Sequence, residues 1–261
     1  MSSNPLGEFL RARRAQVRPE DVGVRVTASR RVAGLRRDEL AVLAGISSEY
    51  YTRLEQGRDR HPSAQVLEAL GRALRLEPSA ASHLRALADG PARRRAVEEG
   101  LRPEFAAALD GWPAPAYVEG RYLDILYANP LARALFPAFG VGENLLRTAF
   151  IGRRDPGPWS EADLAALVGR LRASAGGDPD DDRLTAFVEE LTLASPVFAR
   201  IWRRHDVVDA PAHGELTLRH PGVGEVRLRY DKLRVVGAED QVLVLCHPAD
   251  PEATERLALL A

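Results

Sequence analysis

Between Leu35 and Gly57 the chain reads LRRDELAVLAGISSEYYTRLEQG, and helical spacing over its second half sets Ser48, Glu49, Thr52 and Arg53 on the side opposite Tyr51 and Leu54. Such a helix can enter a major groove, and short side chains at its start permit close approach to base edges. Arg53 offers a two-pronged donor to guanine O6 and N7. Glu49 repels phosphate unless it accepts from cytosine N4. Gln56, together with the Gly57 amide, can hold a phosphate, and Arg58 and Arg60 extend the basic rim. Tyr50 either stacks on the sugar-phosphate backbone or covers the helices behind it. These eight residues, Ser48, Glu49, Tyr50, Thr52, Arg53, Gln56, Arg58 and Arg60, are the candidate DNA contacts. The alternative for such a helix pair is a protein-interaction or dimerisation unit.

No comparable constellation points to catalysis. Cys246 and His247 are neighbours on a predicted strand, so their side chains leave opposite faces and cannot act as nucleophile and base. His205, His213 and His220 are spaced at loop-dominated intervals without a carboxylate signature, and GxxxxGK[ST], GxSxG and HExxH do not occur. The expectation is no catalytic residue, no metal and no cofactor.

The elements that hold the candidate contacts are helices. Asn4 and Pro5 read as a cap and first turn, with Leu6, Phe9 and Leu10 on one face ahead of Arg11, Arg13 and Arg14. A polar connection from Val17 to Gly34 contains Pro19, Glu20 and Asp21, which suit a short helical turn. Leu40, Leu43 and Ala44 form the stripe of a supporting helix. Gly45 bends the chain, Ile46 plugs the corner and Ser47 caps the next helix. Two further helices follow from caps at Ser63 (Val66, Leu67, Leu70, Leu74) and Ser79 (Leu84, Leu87), which predicts a five-helix bundle.

Charge divides the chain. Of 261 residues, 36 are basic and 37 acidic, a net charge of −1 that names no partner. Residues 1–90 carry 15 arginines against 11 acidic side chains, so the basic share lies with the helix pair and the remainder is acidic. Length and the 45% hydrophobic content predict two globular domains rather than a disordered chain. The expected boundaries are 1–88 for the helical DNA-binding domain, 89–100 for a linker and 101–261 for the second domain. A single cysteine excludes a disulfide framework, and the absence of a long apolar run or leader-like start predicts a cytoplasmic protein.

The second domain begins with a short helix marked by Leu101, Phe105 and Leu109, ended by Gly111 and Pro113. AYVEGRYLDILYANP reads as a hairpin, extended from Ala116 to Glu119 and from Tyr122 to Ala128 with a turn at Gly120, and Asn129-Pro130 opens a helix. ELTLRH, EVRLRYDKLRVV and QVLVLCH read as an antiparallel meander joined by HPGVG and GAED turns. Between these strand groups lie helices starting near Ser160, with Asp163 in capping position, near Asp182, and at Ser195-Pro196. Stripes such as Leu164, Leu167, Val168 and Leu171 require a covering face. The predicted fold is two-domain α+β: an all-α bundle, then about five antiparallel strands with helices over one face, a PAS-like arrangement.

These residues carry a resemblance. ELAVLAGISSEYYTRLEQG with VLEALGRALRL resembles the XRE-type helix-turn-helix, in the GLRRDELAVLAGIS form of MmyB-like regulators, over nearly all of residues 5–88. DILYANPLARALF is similar to a strand and helix of PAS-like sensors. SPVFARIWRRHDV and HPGVGEVRLRYDKLRVVGAEDQVLVLCHPADPEATERLALL are similar to the MmyB-like ligand-binding domain. The resemblance implies a DNA-binding transcription regulator that acts as a homodimer and accepts a small apolar ligand, of fatty-acid class. An acyl carboxylate needs a cation or hydroxyl among apolar walls, which selects Asn129, Arg147, Arg200, Trp202 and His205 as candidate ligand contacts. The plainer reading of Asn129 is a helix cap and that of Trp202 simple core; Tyr117, Tyr122 and Tyr127 could also line the space, though strand tyrosines commonly serve as sheet packing. The competing reading makes the second domain a dimerisation or protein-interaction module that holds no metabolite.

Overall fold

The structure is a computed structural model, and it describes residues 4–25, 32–89, 100–136, 140–151, 160–176, 178, 180–209 and 211–260. Local signals start most of the helices. Helix α1 (Pro5–Gln16) is capped by Asn4, whose side chain accepts from the Gly7 amide, and it buries Leu6, Phe9 and Leu10. A 3-10 turn at Pro19–Val22 follows. Then come α2 (Arg37–Ala44), α3 (Ser48–Glu55), α4 (Ala64–Ala73) and α5 (Pro78–Asp89), which complete the five-helix bundle. Two local expectations shift. Leu43 is exposed, and Ala41 takes its place beside Leu40 and Ala44 in the core. Ser79 does not cap α5; the helix starts one residue earlier, and the Ser79 hydroxyl turns to the Val207 carbonyl.

The sheet-bearing part contains α6 (Pro103–Asp110), β1 (Ala116–Glu119), β2 (Ile125–Ala128), α7 (Pro130–Leu135) and α8 (Leu145–Phe150). After α9 (Glu161–Ala175), α10 (Asp182–Ala194) and α11 (Pro196–Trp202) come β3 (His213–His220), β4 (Gly224–Val235), β5 (Ala238–Pro248) and α12 (Pro251–Ala258). The five strands are antiparallel in the order β2-β1-β5-β4-β3, so the hairpin of the early strands docks on the last strand of the meander. Helix α6 covers Ala116, Val118, Leu243 and Leu245 through Leu109 and Phe105. Phe136, which follows α7, meets Tyr117 on the opposite face, so both faces are touched rather than one. The second strand begins at Ile125 rather than Tyr122, because Leu123 sits at φ 64 and breaks extended geometry. Helices α8 and α12 are additions to the sequence reading. The expected linker, 89–100, lies outside the described residues except at its two ends.

The chain divides into two compact units: Met1–Arg93 with Val168–Asp209, and Arg94–Leu167 with Ala210–Ala261. The segment 202–208 belongs to the first of these units. Val207 is buried in the core of the helical bundle with Phe9, Leu10, Leu84 and Leu87, and Ala173 of α9 packs against the same core. Arg13 pairs with Asp206 at 3.0 Å, and the Gln16 amide donates to the Arg204 carbonyl. The buried Arg172 guanidinium donates to the carbonyls of Asp206 and Trp202 and lies 3.8 Å over the Trp202 ring. The stripe of Val168 and Leu171 thus lies in the unit that holds the bundle, not the sheet.

This packing makes the first unit acid-sensitive. Burial, then Arg172 and His205, pushes His83 down to about 3. Burial, then Arg172 and Arg13, pushes His205 down to about 4. Both are neutral in the fold and protonate near 6.5 when unfolded, so the folded state holds full stability above pH 6.5 and loses it as pH falls toward 4. The loss is at most about 1.4 kcal/mol per pH unit for each group. Urea unfolding of the wild type and His83→Leu between pH 7 and 5 checks this. The variant should show the shallower decline, and equal slopes would contradict it.

Candidate nucleic-acid interface

The turn between α2 and α3 is fixed by backbone geometry. Gly45 adopts φ 67, ψ 31, where its amide donates to Val42 and the Ile46 amide donates to Ala41, closing the end of α2. An L side chain at that φ is strained, which explains the glycine. Ser47 then accepts from the Tyr50 amide and starts α3. Tyr51, Leu54 and Glu55 point inward and are fully buried.

Glu55 is the feature that periodicity did not mark. Its carboxylate is closed from water and meets Arg11 Nε at 3.1 Å, Arg14 Nη2 at 2.9 Å and Arg37 Nε at 2.8 Å. The backbone carbonyl of Glu55 also accepts from the Asn4 side chain. Burial alone would raise this carboxyl, but the hydrogen bonds from Arg37 and Arg14 outweigh it and hold the group below its ordinary value. One side chain of α3 thereby ties α1, α2 and α3 together, and three of the arginines in the basic first third serve structure rather than DNA. The signal in the sequence was a glutamate one position beyond Leu54 on the apolar side.

The outward face keeps the expected side chains. Ser48, Glu49 and Gln56 are exposed, and Thr52 and Arg53 are partly exposed. The Thr52 hydroxyl donates to the Ser48 carbonyl at 2.7 Å, which leaves its lone pairs to accept. Arg53 lies 5.4 Å from the Tyr50 ring centroid and 3.8 Å from the Glu49 carboxylate, so a carboxylate, a ring and a guanidinium share one patch. Arg58 and Arg60 are exposed beyond the helix end, where Arg60 donates to the Gly57 carbonyl. The Gly57 amide is not available to a phosphate, because it donates to the Leu54 carbonyl. Gly57 itself is required by φ 70 and by the Asn4 side chain, 2.6 Å from where a Cβ would stand.

The five candidate ligand contacts are not brought together. Asn129 and Arg147 belong to the unit with the sheet, and Arg200, Trp202 and His205 to the unit with the bundle. Asn129 is buried and spends its amide on four backbone groups: it accepts from Ala116 and Ala132 and donates to Leu109 and Ala114. It is a cap that also pins β1. Arg147 is exposed on α8, and Arg200 is exposed on α11. Trp202 stacks on Phe198 at 5.7 Å beneath Arg172. His205 occupies the left-handed region at φ 53 beside that arginine. Strand register adds a polar pair that spacing does not mark: Lys232, the one lysine of the chain, meets the buried Glu119 at 3.7 Å. Its position in register with Val226, Leu228 and Tyr230 was the available signal.

Burial separates Cys246 from His247 as strand alternation requires, and the Cys246 thiol is pushed up to about 12 by burial and Glu119. Among the described residues, no group of three or more His, Cys, Asp or Glu is placed to hold a metal ion, and no helix is long and apolar enough to cross a membrane.

A capped helix pair with a polar outer face is thus followed by a sheet-bearing part. The profile of the MmyB-like transcription regulator ligand binding domain matches residues 101–260, and that of a helix-turn-helix domain matches residues 5–84. The chain belongs to the MmyB-like transcription regulators, a family of regulators and not of enzymes. No curated protein matches it.

Two predictions concern this surface. Glu55→Gln should destabilise the chain by about 3 kcal/mol or more, because it leaves Arg14 without its carboxylate in a buried setting. Chemical denaturation measures the loss. In the wild type the contribution of Glu55 should be complete above the ordinary carboxyl value of 4.5 and fade as pH falls through the lower folded one. For DNA, Arg53→Ala should cost about 1 to 3 kcal/mol at one base position and relax selectivity there, whereas Arg58→Ala should weaken all sequences alike and lower the salt slope. Binding-site selection followed by salt titration separates the two. Equal losses on every sequence would displace α3 as the reading helix.

Proposed function

We propose that the chain is a cytoplasmic, homodimeric regulator that sets two copies of α3 into successive major grooves of a partly palindromic operator. In this reading its second domain takes up a small apolar ligand of fatty-acid class, and occupancy changes operator affinity. Ser48, Glu49, Thr52 and Arg53 read bases, while Tyr50, Gln56, Arg58 and Arg60 hold the backbone.

The observation that carries the regulatory part is the placement of residues 168–209. They lie inside the region matched to the ligand-binding domain, yet pack in the compact unit of the helix-turn-helix bundle. A ligand that prefers one arrangement of this segment shifts the bundle with it, by a coupling of about 1 to 3 kcal/mol, or about 5- to 150-fold in affinity. Of the five candidate ligand contacts, Arg147 is the one that combines a place in the sheet-bearing unit with a charge for a carboxylate.

Mass spectrometry of an organic extract from freshly purified protein, beside one from residues 1–90, identifies the ligand class. A stoichiometric apolar acid found with the full chain alone is expected. Adding it back at saturation should change operator affinity at least about fivefold. An unchanged affinity would leave the dimerisation module as the reading.

A further inference from the structure

The two edges of the sheet differ among the described residues: at β2 the Ile125 amide and carbonyl are taken by Glu143 and Gly142, whereas no described strand pairs with the outer side of β3. The edge formed by β2 spans four residues, and its pairing slips between Val118 and Glu119. The edge formed by β3 spans eight residues in unbroken register with β4 and contains no proline. Natural edges are blunted by shortness, bulges, proline or inward charge. On β3 the inward positions are Leu216 and Leu218, which sit opposite Leu228 and Val226 and remain half-buried. A long, regular edge with leucines on its covered side is a template for another strand.

Backbone parity shows which groups are on offer. The Lys232 amide donates to the Ala212 carbonyl, so even-numbered residues of β3 exchange hydrogen bonds with β4. The N–H and C=O groups of His213, Glu215, Thr217 and Arg219 therefore face the open edge. The side chains of Glu215, Thr217 and Arg219 are exposed.

We infer that the occupant of this edge is a second copy of the chain, with β3 pairing antiparallel to β3 about a two-fold axis at Thr217. This rests on the homodimer proposed above and locates its contact. Glu215 and Arg219 stand two residues either side of Thr217, so in this register each Glu215 lies opposite the partner's Arg219, twice by symmetry. Leu216 lies opposite the partner's Leu218. All the facing positions 215, 217 and 219 are odd-numbered, the parity whose backbone groups are open. Arg219 already meets Glu225 of its own β4 at 3.7 Å, so each arginine stands between two carboxylates. To an unrelated strand the fixed charges are a deterrent; to its own copy they are complementary.

The test uses the full chain with Thr217→Cys under mild oxidation. Across the axis the two Cα atoms would stand about 5.5 Å apart, within disulfide range. The single native thiol, Cys246, is buried. A covalent dimer on a non-reducing gel is expected for Thr217→Cys but not for Glu215→Cys, whose twin lies four rungs away. Thr217→Pro removes an amide that β4 does not use, so the melting transition should persist while sedimentation equilibrium shows the dimer constant weakened at least tenfold. A dimer that neither cross-links at 217 nor responds to Thr217→Pro would overturn the edge contact and leave the dimer reading standing. Equal cross-linking at 215 and 217 would overturn the register. A monomer at all concentrations would overturn both.

Discussion

A carboxylate enclosed in protein is tolerated when cations and hydrogen-bond donors replace the water it has lost. Glu55 meets that condition through Arg11, Arg14 and Arg37, which reach it from two other helices. The orientation of α3 depends on this arrangement, because Tyr51 and Leu54 supply greasy contact but no direction. With the carboxylate fixed, the polar face carrying Ser48, Glu49, Thr52 and Arg53 is held on a rigid support. Part of the basic character of the first third is spent inside the molecule, so its charge alone overstates what is available to phosphate.

The same unit contains residues 168–209. Segment 202–208 enters the bundle core at Val207 and is held by Arg172, a buried cation whose donors go to carbonyls and whose plane covers Trp202. Burial pulls Arg172 down to about 9. Such a site persists when its surroundings are well packed, and His83 and His205 stay neutral beside it. By sequence this segment lies within the matched ligand-binding region, and by packing it belongs to the unit of the bundle.

Much of this was legible in the residues because the signals are local. Asn4, Gly45, Ser47, Ser63 and Asn129 cap or end helices within three or four positions, and the HPGVG turn sits between two alternating runs. What was not legible depends on contacts far apart in sequence. Glu55 finds partners 44, 41 and 18 positions away, and nothing in the spacing of its own helix names them. Asn129 was readable as a cap for Ala132, but its bonds to Ala116, Leu109 and Ala114 require the folded hairpin. Helix α8, at six residues, is too short for periodicity to register. The stripe on α9 correctly demanded a covering face, yet an apolar stripe does not say whether sheet or bundle provides it.

The proposed reading of DNA by α3, held by Glu55, can be measured directly. The direct measurement is affinity cleavage with an iron chelate attached to the full chain at Ser48→Cys, bound to a duplex recovered by selection. The buried Cys246 thiol leaves the introduced cysteine as the site of attachment. Cleavage centred in the major groove within the selected site is predicted, with none from the same reagent at Leu193→Cys on the exposed side of α10. Cleavage from position 193 and silence from position 48 would mean that α3 does not enter the groove.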